Sequence, residues 1–305
     1  MLHSKIKNKE TGLLFYGVTP PKENVDKQKM RTIADKQISR LEGIEIDGLV
    51  LYDIQDESSR TNAPRPFPFV PTLSPDYYSD TYLRDLNIPK IIYKSVGKYS
   101  SSGFKDWIHN ANNKIACSVF VGSPSKIQDS RLSLNEAYKI RQDLDATLLM
   151  GGVTIPERHY KKGDEHIRLL NKIDNGCSFF ISQCVYSINN TKDFLSDYYY
   201  LSAERNADLV PIIFTLTPCG SLKTLEFMKW LGIDIPKWLH NDLKNAKDIL
   251  SDSINVCKSI ATEIIDYSKT KNIPIGFNIE SVAIRKDEIE ASIELLKDLK
   301  GLMNK

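Results

Sequence analysis

Residues that can transfer protons or bind a polar ligand occur in short runs, each following an apolar segment. Carboxylates and a histidine act as general acids or bases, and amide side chains orient a ligand by hydrogen bonding. These residues are Asp53, Asp56, Glu57, Glu157, His159, Gln183, Asn278 and Glu280. Arg168 and Lys172 lie one helical turn apart, so on a helix they share a face that suits a diphosphate. The residue types predict acid–base chemistry on a small polar ligand.

Eight short apolar runs alternate with segments of helical periodicity. The predicted strands are Gly12–Val18, Asp47–Tyr52, Lys90–Tyr93, Lys114–Val121, Ala146–Met150, Ser178–Gln183, Val210–Phe214 and Pro274–Ile279. Strict alternation predicts a parallel sheet, because parallel neighbours need crossover connections. Eight apolar strands favour a closed (β/α)8 barrel over an open sheet. No Gly-x-Gly-x-x-Gly follows the first strand, which argues against a Rossmann domain.

Two segments depart from the plain repeat. Ser58–Pro75 is rich in proline and polar residues, so we expect a long loop at the mouth of the barrel. Pro236–Lys271 is too long for one crossover helix, and we expect an additional helix within it. Ser221 and Gly232 are suited to cap the two ends of the helix between them. We expect residues 1–305 to form one barrel domain.

The barrel architecture also predicts where the chemistry occurs. Active sites of (β/α)8 barrels lie at the C-terminal ends of the strands, and the polar runs follow the predicted strands there. The run Ser100–Gly103 could bind a phosphate through backbone N–H groups, just before a predicted helix over Phe104–Ala111. Each of these residues also has a plain structural explanation, as a solvated helix face, a solvated turn or a buried backbone hydrogen bond.

Composition limits the function classes. The 305 residues include 41 basic and 39 acidic side chains, a net charge of +2 without a basic stripe, so no nucleic-acid partner is predicted. The five cysteines form no Cys-x-x-Cys pair and no cluster at metal-ligand spacing, which predicts reduced thiols, no metal site and a cytoplasmic protein. No apolar run approaches the length of a membrane span. A homo-oligomer is compatible with the sequence.

Several phrases resemble one enzyme family, the methylenetetrahydrofolate reductases. Gly152–His159 contains Pro-Glu-Arg-His, similar to the family's Tyr-Pro-Glu-x-His, and Lys172–Cys177 resembles its Lys-Val-Asp-Ala-Gly-Ala. Ile181-Ser182-Gln183 is similar to Ile-Thr-Gln, and Gly232–Pro236 resembles the stretch after the seventh strand. Phe15–Lys22 resembles the family's Phe-Glu-Phe-Phe-Pro-Pro-Lys opening. The resemblance spans most of the chain and is strongest from Gly151 to Pro236.

The resemblance implies a flavin-dependent barrel that reduces 5,10-methylenetetrahydrofolate to 5-methyltetrahydrofolate, with NADH or NADPH as donor. It implies FAD as cofactor and a folate as substrate, both at the mouth. The residues implied for the cofactor are Tyr52, Gly122, Ser123, His159, Glu165, Arg168 and Lys172. Those expected at the substrate are Gln183, Glu157 and Asn278. We expect Gln183, His159 and the helix of Lys172 to converge on one flat heterocycle.

Three departures from the family pattern bear on its chemistry. The family's acidic glutamate after the first strand corresponds to Gly17, and its Arg-Gly-Asp corresponds to Val121-Gly122-Ser123. Ile155 replaces the tyrosine before Pro-Glu. Loss of a positioned acid costs about 10²–10⁴-fold in rate. Glu57 or Glu280 could supply the proton instead, since both follow predicted strands.

The departures leave three function classes open. The first is the flavin-dependent reductase. The second is a folate-binding barrel that performs non-redox one-carbon transfer, or reduction without a flavin, which the Gly17 and Ser123 departures favour. The third is a non-catalytic protein that binds folate or flavin as a regulator.

Overall fold

Eight parallel strands close into one barrel in the order of the chain. The computed structural model describes residues 2–58, 61–111, 115–122, 131–144 and 146–303. The strands are β1 Leu13–Val18, β2 Gly48–Leu51, β3 Lys90–Ser95, β4 Cys117–Val121, β5 Leu149–Thr154, β6 Cys177–Cys184, β7 Ile212–Leu216 and β8 Ile275–Glu280. Strand β1 pairs with both β2 and β8, which closes the sheet. The predicted (β/α)8 barrel is confirmed.

Helices alternate with the strands and cover the outside of the barrel. They are α1 Leu2–Lys7, α2 Lys27–Leu41, α3 Pro75–Tyr82, α4 Ser101–Ala111, α5 Leu134–Asp143, α6 Pro156–Lys162, α7 Glu165–Asp174, α8 Ile188–Glu204, α9 Leu222–Trp230, α10 Lys237–Asn245, α11 Ile249–Lys269 and α12 Lys286–Met303. Within the described ranges, no helix is both long and apolar enough to cross a membrane.

The barrel has an apolar interior that is closed at its N-terminal end. Phe15, Val50 and Phe179 belong to one buried cluster inside the strands. Leu2 and Ile6 of α1 belong to the same cluster, and Leu2 lies against the start of β2 at Gly48. Helix α1 therefore covers the bottom of the barrel, while the C-terminal ends of the strands form the mouth.

Strand β5 differs from its prediction. It extends to Thr154, whereas the apolar pattern predicts an end at Met150. Gly151 and Gly152 continue the strand because the rings of Phe179 and Phe180 fill the space beside them. A Cβ at Gly151 would lie only 2.6 Å from Cζ of Phe179, so this close packing requires glycine.

Two helix ends bear on the sequence predictions. Ser221 caps α9 by accepting a hydrogen bond from the Thr224 N–H, and Gly232 follows that helix with φ of +81°, as predicted. Helix α4 starts at Ser101 and not at Phe104, because Ser100 Oγ accepts from the Gly103 N–H at 3.2 Å. Because the Gly103 N–H already donates a hydrogen bond within the protein, it is not available to a phosphate, and this argues against Ser100–Gly103 as a phosphate-binding loop.

Candidate functional site

Two polar side chains at the end of β8 point into the mouth of the barrel. Residues that alternate along a strand face the same side. A Cβ at Gly276 would meet Ile213 of the interior cluster at 2.8 Å, so Asn278 and Glu280 share this inward direction. Asn278 is fully buried, and Glu280, the last residue of the strand, is half-buried. A carboxyl and an amide thus lie one above the other in the mouth.

Gly17 is the register partner of Glu280 across the β1–β8 pair. A Cβ at Gly17 would lie 2.9 Å from the Tyr52 hydroxyl oxygen and 3.1 Å from the Glu280 Cβ. The space that a side chain on β1 would need is therefore filled by Tyr52 and Glu280. A carboxyl on the neighbouring strand β8 therefore lies beside the position on β1 where the resemblance implies one.

A hydrogen-bond network surrounds the Glu280 carboxyl. The Cys184 thiol donates to Glu280 Oε1 at 3.2 Å. The Asn278 amide nitrogen donates to the Tyr52 hydroxyl at 2.8 Å and to the Thr215 hydroxyl at 3.2 Å. Asn278 Oδ1 is buried and has no hydrogen-bond partner among the described residues. The network fixes the carboxyl and leaves one buried acceptor for a ligand donor.

Burial keeps this carboxyl protonated over a wider pH range than an exposed one. Desolvation raises the pKa of Glu280, and hydrogen bonding from the Tyr52 hydroxyl and the Cys184 thiol opposes the shift without reversing it. Burial also raises the pKa of Tyr52 well above its ordinary value, and the adjacent Glu280 adds to that shift. A carboxyl whose neutral form is favoured can act as a proton donor near neutral pH.

Glu157 is a second buried carboxyl, at the start of α6. Its side chain is 3% exposed, and neither carboxyl oxygen has a hydrogen-bond partner among the described residues. Burial raises the pKa of Glu157 to about 8, and the negative charges of Asp234 and Glu165 contribute. Nearby backbone N–H groups partly offset the shift but lie outside hydrogen-bonding geometry. Glu157 is therefore a neutral carboxyl with unused hydrogen-bonding capacity.

Gln183 lies in an irregularity of β6. The β6–β7 pairing shifts register between Ile181 and Cys184, as in a β-bulge. The extra residue brings Cys184 level with inward-facing Thr215, while the Gln183 amide donates to the Leu231 carbonyl at 3.1 Å. Gln183 thus lies at the rim beside the end of α9, and Cys184 takes the inward position. Sequence periodicity could not predict Cys184 as a mouth residue, because the bulge breaks the alternation.

Charged residues of α7 form hydrogen bonds and ion pairs with other residues of the protein. Glu165 is 1% exposed and accepts hydrogen bonds from the Thr154 hydroxyl at 3.2 Å and the Ile155 N–H at 2.9 Å. Arg158 and Arg168 approach the same carboxylate at 3.3 and 3.4 Å. Glu165 therefore holds the turn between β5 and α6 and pairs with both arginines.

Lys172 and His159 each have internal partners on different elements. The Lys172 amine donates to the Val153 carbonyl at 2.5 Å, and burial lowers the pKa of Lys172. His159 Nε2 lies 3.0 Å from Asp197 Oδ2 on α8, and its ring contacts that of His166 on α7. Three different elements therefore hold the side chains of Gln183, His159 and Lys172. Among the described residues, these side chains do not converge on a place for one heterocycle, contrary to the expectation from the resemblance.

The remaining predicted residues lie around the rim. Asp56 and Glu57, after β2, are close enough to Arg65 to favour its charged form, although burial lowers the pKa of Arg65 overall. Asp53 accepts from the Ser95 N–H at 2.9 Å and pairs with Lys98, a structural role. The Gly122 carbonyl accepts from the Gln55 amide at 3.4 Å. Ser123 lies outside the described residues.

Three of the described residues that the resemblance assigns to the flavin have partners within the protein instead. A diphosphate needs free cationic groups or free N–H donors. Arg168 forms an ion pair with the buried Glu165 carboxylate, and the Lys172 amine donates a hydrogen bond to the Val153 carbonyl of β5. His159 is turned towards α8 and has 6% exposure.

Comparisons with known proteins agree with the fold and the resemblance. Residues 138–276 match the family profile described as methylenetetrahydrofolate reductase. An uncharacterized protein from Clostridium thermocellum that binds two copies of 5-methyl-5,6,7,8-tetrahydrofolic acid is 52% identical, with a TM-score of 0.89 over 99% of each chain. A GH113 β-1,4-mannanase is 12% identical, with a TM-score of 0.54 over 96% of this chain and 99% of that one, which shows a shared fold alone. Comparison with curated proteins gives no match.

One family assignment is supported by three findings: the family profile, the similarity over nearly the whole length of the Clostridium thermocellum protein, and the closed barrel. The chain belongs to the methylenetetrahydrofolate reductase family.

Proposed function

We propose that this chain binds a tetrahydrofolate bearing a one-carbon group at the mouth of its barrel and activates that group by proton transfer from Glu280, without a flavin. The observation that carries the proposal is the Glu280 carboxyl beside Gly17, at the place where the resemblance puts the family's acid; burial raises the pKa of this carboxyl. The 52% identical protein that binds 5-methyltetrahydrofolic acid supports a folate ligand. Among the three classes left open by the sequence, these observations favour flavin-free one-carbon transfer.

Proton donation is the chemistry that such a transfer needs. In a 5-methyltetrahydrofolate the methyl carbon is bonded to N5, and an unprotonated N5 would have to leave as an anion, which makes it a poor leaving group. Glu280 would give its proton to N5, and a nucleophile of the second substrate would then attack the methyl carbon. The electron pair of the carbon–nitrogen bond stays on N5, so neutral tetrahydrofolate leaves. The proton that the nucleophile loses on methylation returns through solvent to the Glu280 carboxylate.

Other side chains of the mouth would position the pterin and the acid. Tyr52 and Cys184 hydrogen-bond to Glu280 and hold its carboxyl in one orientation. The partnerless Asn278 Oδ1 and the carbonyl oxygen of the neutral Glu157 carboxyl would accept hydrogen bonds from the N–H groups of a pterin ring, and the Glu157 hydroxyl would donate one. Satisfying these buried acceptors would contribute to the affinity for folate, because an unpaired buried polar group costs about 1–3 kcal/mol.

Family membership implies a different activity, reduction of 5,10-methylenetetrahydrofolate with FAD and NADH or NADPH. The internal partners of Lys172, His159 and Arg168 are the reason to prefer the flavin-free reaction. The absorbance spectrum of purified protein separates the two. We expect no flavin bands, and none retained after incubation with FAD and gel filtration. Yellow protein with one flavin per chain would support the flavin-dependent reductase instead.

The role of Glu280 is tested by replacing it with its amide. The ultraviolet absorbance of a bound 5-methyltetrahydrofolate reports protonation at N5, so the difference spectrum on binding shows proton transfer without a known acceptor. We expect a protonation signal in the wild type and in Glu57→Gln, and its loss in Glu280→Gln with folate still bound. In a turnover assay with the acceptor, Glu280→Gln should lose about 10²–10⁴-fold in rate. An unchanged spectrum in Glu280→Gln would contradict the assignment.

A further inference from the structure

Three side chains with metal-ligating atoms meet on the outside of the barrel, where α6, α7 and α8 pack together. They are His159 of α6, His166 of α7 and Asp197 of α8, and one ligand atom from each lies within 4.8 Å of the others. His159 Nε2 is 3.0 Å from Asp197 Oδ2, and the two imidazole rings are 5.0 Å apart at 88°. His159 and His166 are seven residues apart but Asp197 lies 31 residues further along the chain, so the set matches no metal-ligand spacing motif.

Two nitrogens of this cluster are buried without a partner. His159 is 6% exposed, and its Nδ1 has no hydrogen bond among the described residues. His166 Nδ1 is also buried and without a partner. Buried imidazole nitrogens are ordinarily satisfied, since leaving one unpaired costs free energy. Two such atoms in one cluster leave nitrogen lone pairs that a ligand could use.

The residue types of this cluster suit a cation. The ligand atoms of His159 and His166 lie beside the Asp197 carboxylate, all within 4.8 Å of one another. Asp197 is 56% exposed and contributes a carboxylate that reaches the cluster from solvent. Two imidazoles and one carboxylate are a donor set for zinc-class transition metals, whereas Mg²⁺ and Ca²⁺ prefer oxygen ligands.

We propose that His159, His166 and Asp197 form a binding site for a divalent transition metal of the zinc class, separate from the folate site. Zinc takes nitrogen and oxygen ligands at about 2.0–2.2 Å and accepts three protein ligands with water in the fourth position. Bringing the present atoms to that spacing needs a modest movement, which the exposed Asp197 side chain can make.

The consequence of the site lies in the helix that it would fix. Helix α6 has seven residues and carries Glu157 in its first turn, at the mouth. A metal joining α6 to α7 and α8 would stabilise this short helix and hold the Glu157 carboxyl in place. We therefore expect metal binding to raise thermal stability by linkage, since the metal binds the folded chain.

The test uses the full chain, stripped of metal by a chelator, and Zn²⁺ as the probe in titration calorimetry. We expect one Zn²⁺ per wild-type chain and a rise in Tm. Affinity should fall by at least ~10²-fold in His166→Ala and in Asp197→Asn. His109→Ala, an exposed histidine on α4, is the matched control and should bind as the wild type does. No stoichiometric binding by the wild type, or an unchanged affinity in His166→Ala, would overturn the proposal.

A spectroscopic measurement on the wild type keeps the test independent of whether the variants fold. Co²⁺ in place of Zn²⁺ should give the strong visible bands of a four-coordinate site, and the zinc X-ray absorption spectrum should show two imidazoles and no sulfur. Sulfur ligands would assign the metal to a cysteine, and octahedral Co²⁺ bands would indicate a loosely held surface ion; either result contradicts the proposed site. Because these measurements need no folate, they fail or succeed independently of the proposed function.

Discussion

At the scale of single residues, the chemistry depends on which strand carries the carboxyl. Sequence comparison with the family shows only that Gly17 has no acidic side chain. The pairing of Gly17 with Glu280 across β1 and β8 is a property of the closed sheet, and it makes Glu280 a neighbour of the missing group. Glu280 could be predicted as one of two candidate carboxylates. Its selection over Glu57 needed the register, because Glu57 lies near Arg65 on the rim.

The packing beside Gly17 gives a stability prediction. Gly17→Ala should destabilise the fold by about 1–3 kcal/mol, because its Cβ would lie 2.9 Å from the Tyr52 ring and hydroxyl and 3.1 Å from Glu280 Cβ. Urea denaturation should show a lower midpoint with an unchanged m-value. Gly122→Ala is the matched control, since its nearest neighbour would be Leu134 at 3.7 Å, and it should change stability by less than ~0.5 kcal/mol. Equal stability of both variants would contradict the crowded packing described here.

Glu157 gives a prediction for the dependence of stability on pH. Its pKa is about 8 in the folded chain and 4.5 in the reference state, so the folded state binds more protons between these pH values. The stability that the neutral carboxyl contributes is therefore fully present below pH 4.5 and is lost as pH rises towards 8, by about 1.4 kcal/mol per pH unit at most. Glu157→Gln, which cannot ionise, should remove this slope.

The measurement is the free energy of unfolding at several pH values between 5 and 9 for both proteins. Glu136→Gln, an exposed carboxylate of the α5 cap, is a suitable control and should leave the slope in this range intact, because the pKa of Glu136 is lowered by its bonds to Ser133. If Glu157→Gln and the wild type lose stability in parallel from pH 5 to pH 8, Glu157 is ionised in the folded protein.

At the scale of elements, the strands were predictable and their irregularities were not. Apolar runs and capping residues identified the strands and the ends of α9, because burial on both sheet faces and helix capping are local properties of the sequence. The end of β5 depended on two phenylalanine rings of β6 that fill the space beside Gly151 and Gly152. The direction of Gln183 depended on a β6 bulge. Both effects depend on contacts with a neighbouring strand, so neither can be predicted from the residues of one segment alone.

The segment after β2 is attached to α9 by aromatic contacts. The Arg65 guanidinium lies 4.8 Å from the centroid of the Trp230 ring and 5.4 Å from that of Phe227, and Phe67 packs edge-on against Phe227 at 5.1 Å. The Trp230 indole also donates to the Ala63 carbonyl at 3.0 Å. These contacts hold part of the rim of the mouth in place.

Removing the guanidinium should loosen that segment. Arg65→Ala should speed backbone hydrogen exchange in residues 61–71 and reduce stability by about 1–2 kcal/mol, the size of a partly desolvated cation–π contact. Arg84→Ala, an exposed arginine on the outside of the barrel, should change neither quantity. Unchanged exchange in residues 61–71 of Arg65→Ala would show that the aromatic contacts do not hold the segment.

At the scale of the whole molecule, the two ends of the barrel have different roles. The N-terminal end is closed by α1, with Leu2 and Ile6 buried in the interior cluster, so it contributes to stability. The C-terminal end gathers Asn278, Glu280, Tyr52 and Cys184 above that cluster. This separation would let the fold keep a ligand-binding mouth even where a polar side chain moves from one strand to its neighbour, as the proposed role of Glu280 requires.

We propose that the mouth of this barrel binds a folate without a flavin. Calorimetric titration of flavin-free protein with 5-methyltetrahydrofolate measures this binding. We expect saturable binding by the wild type, a loss of about 10–100-fold in Asn278→Leu, and wild-type affinity in Lys7→Ala at the opposite end of the barrel. Absence of binding until FAD is added, or an unchanged affinity in Asn278→Leu, would contradict the claim.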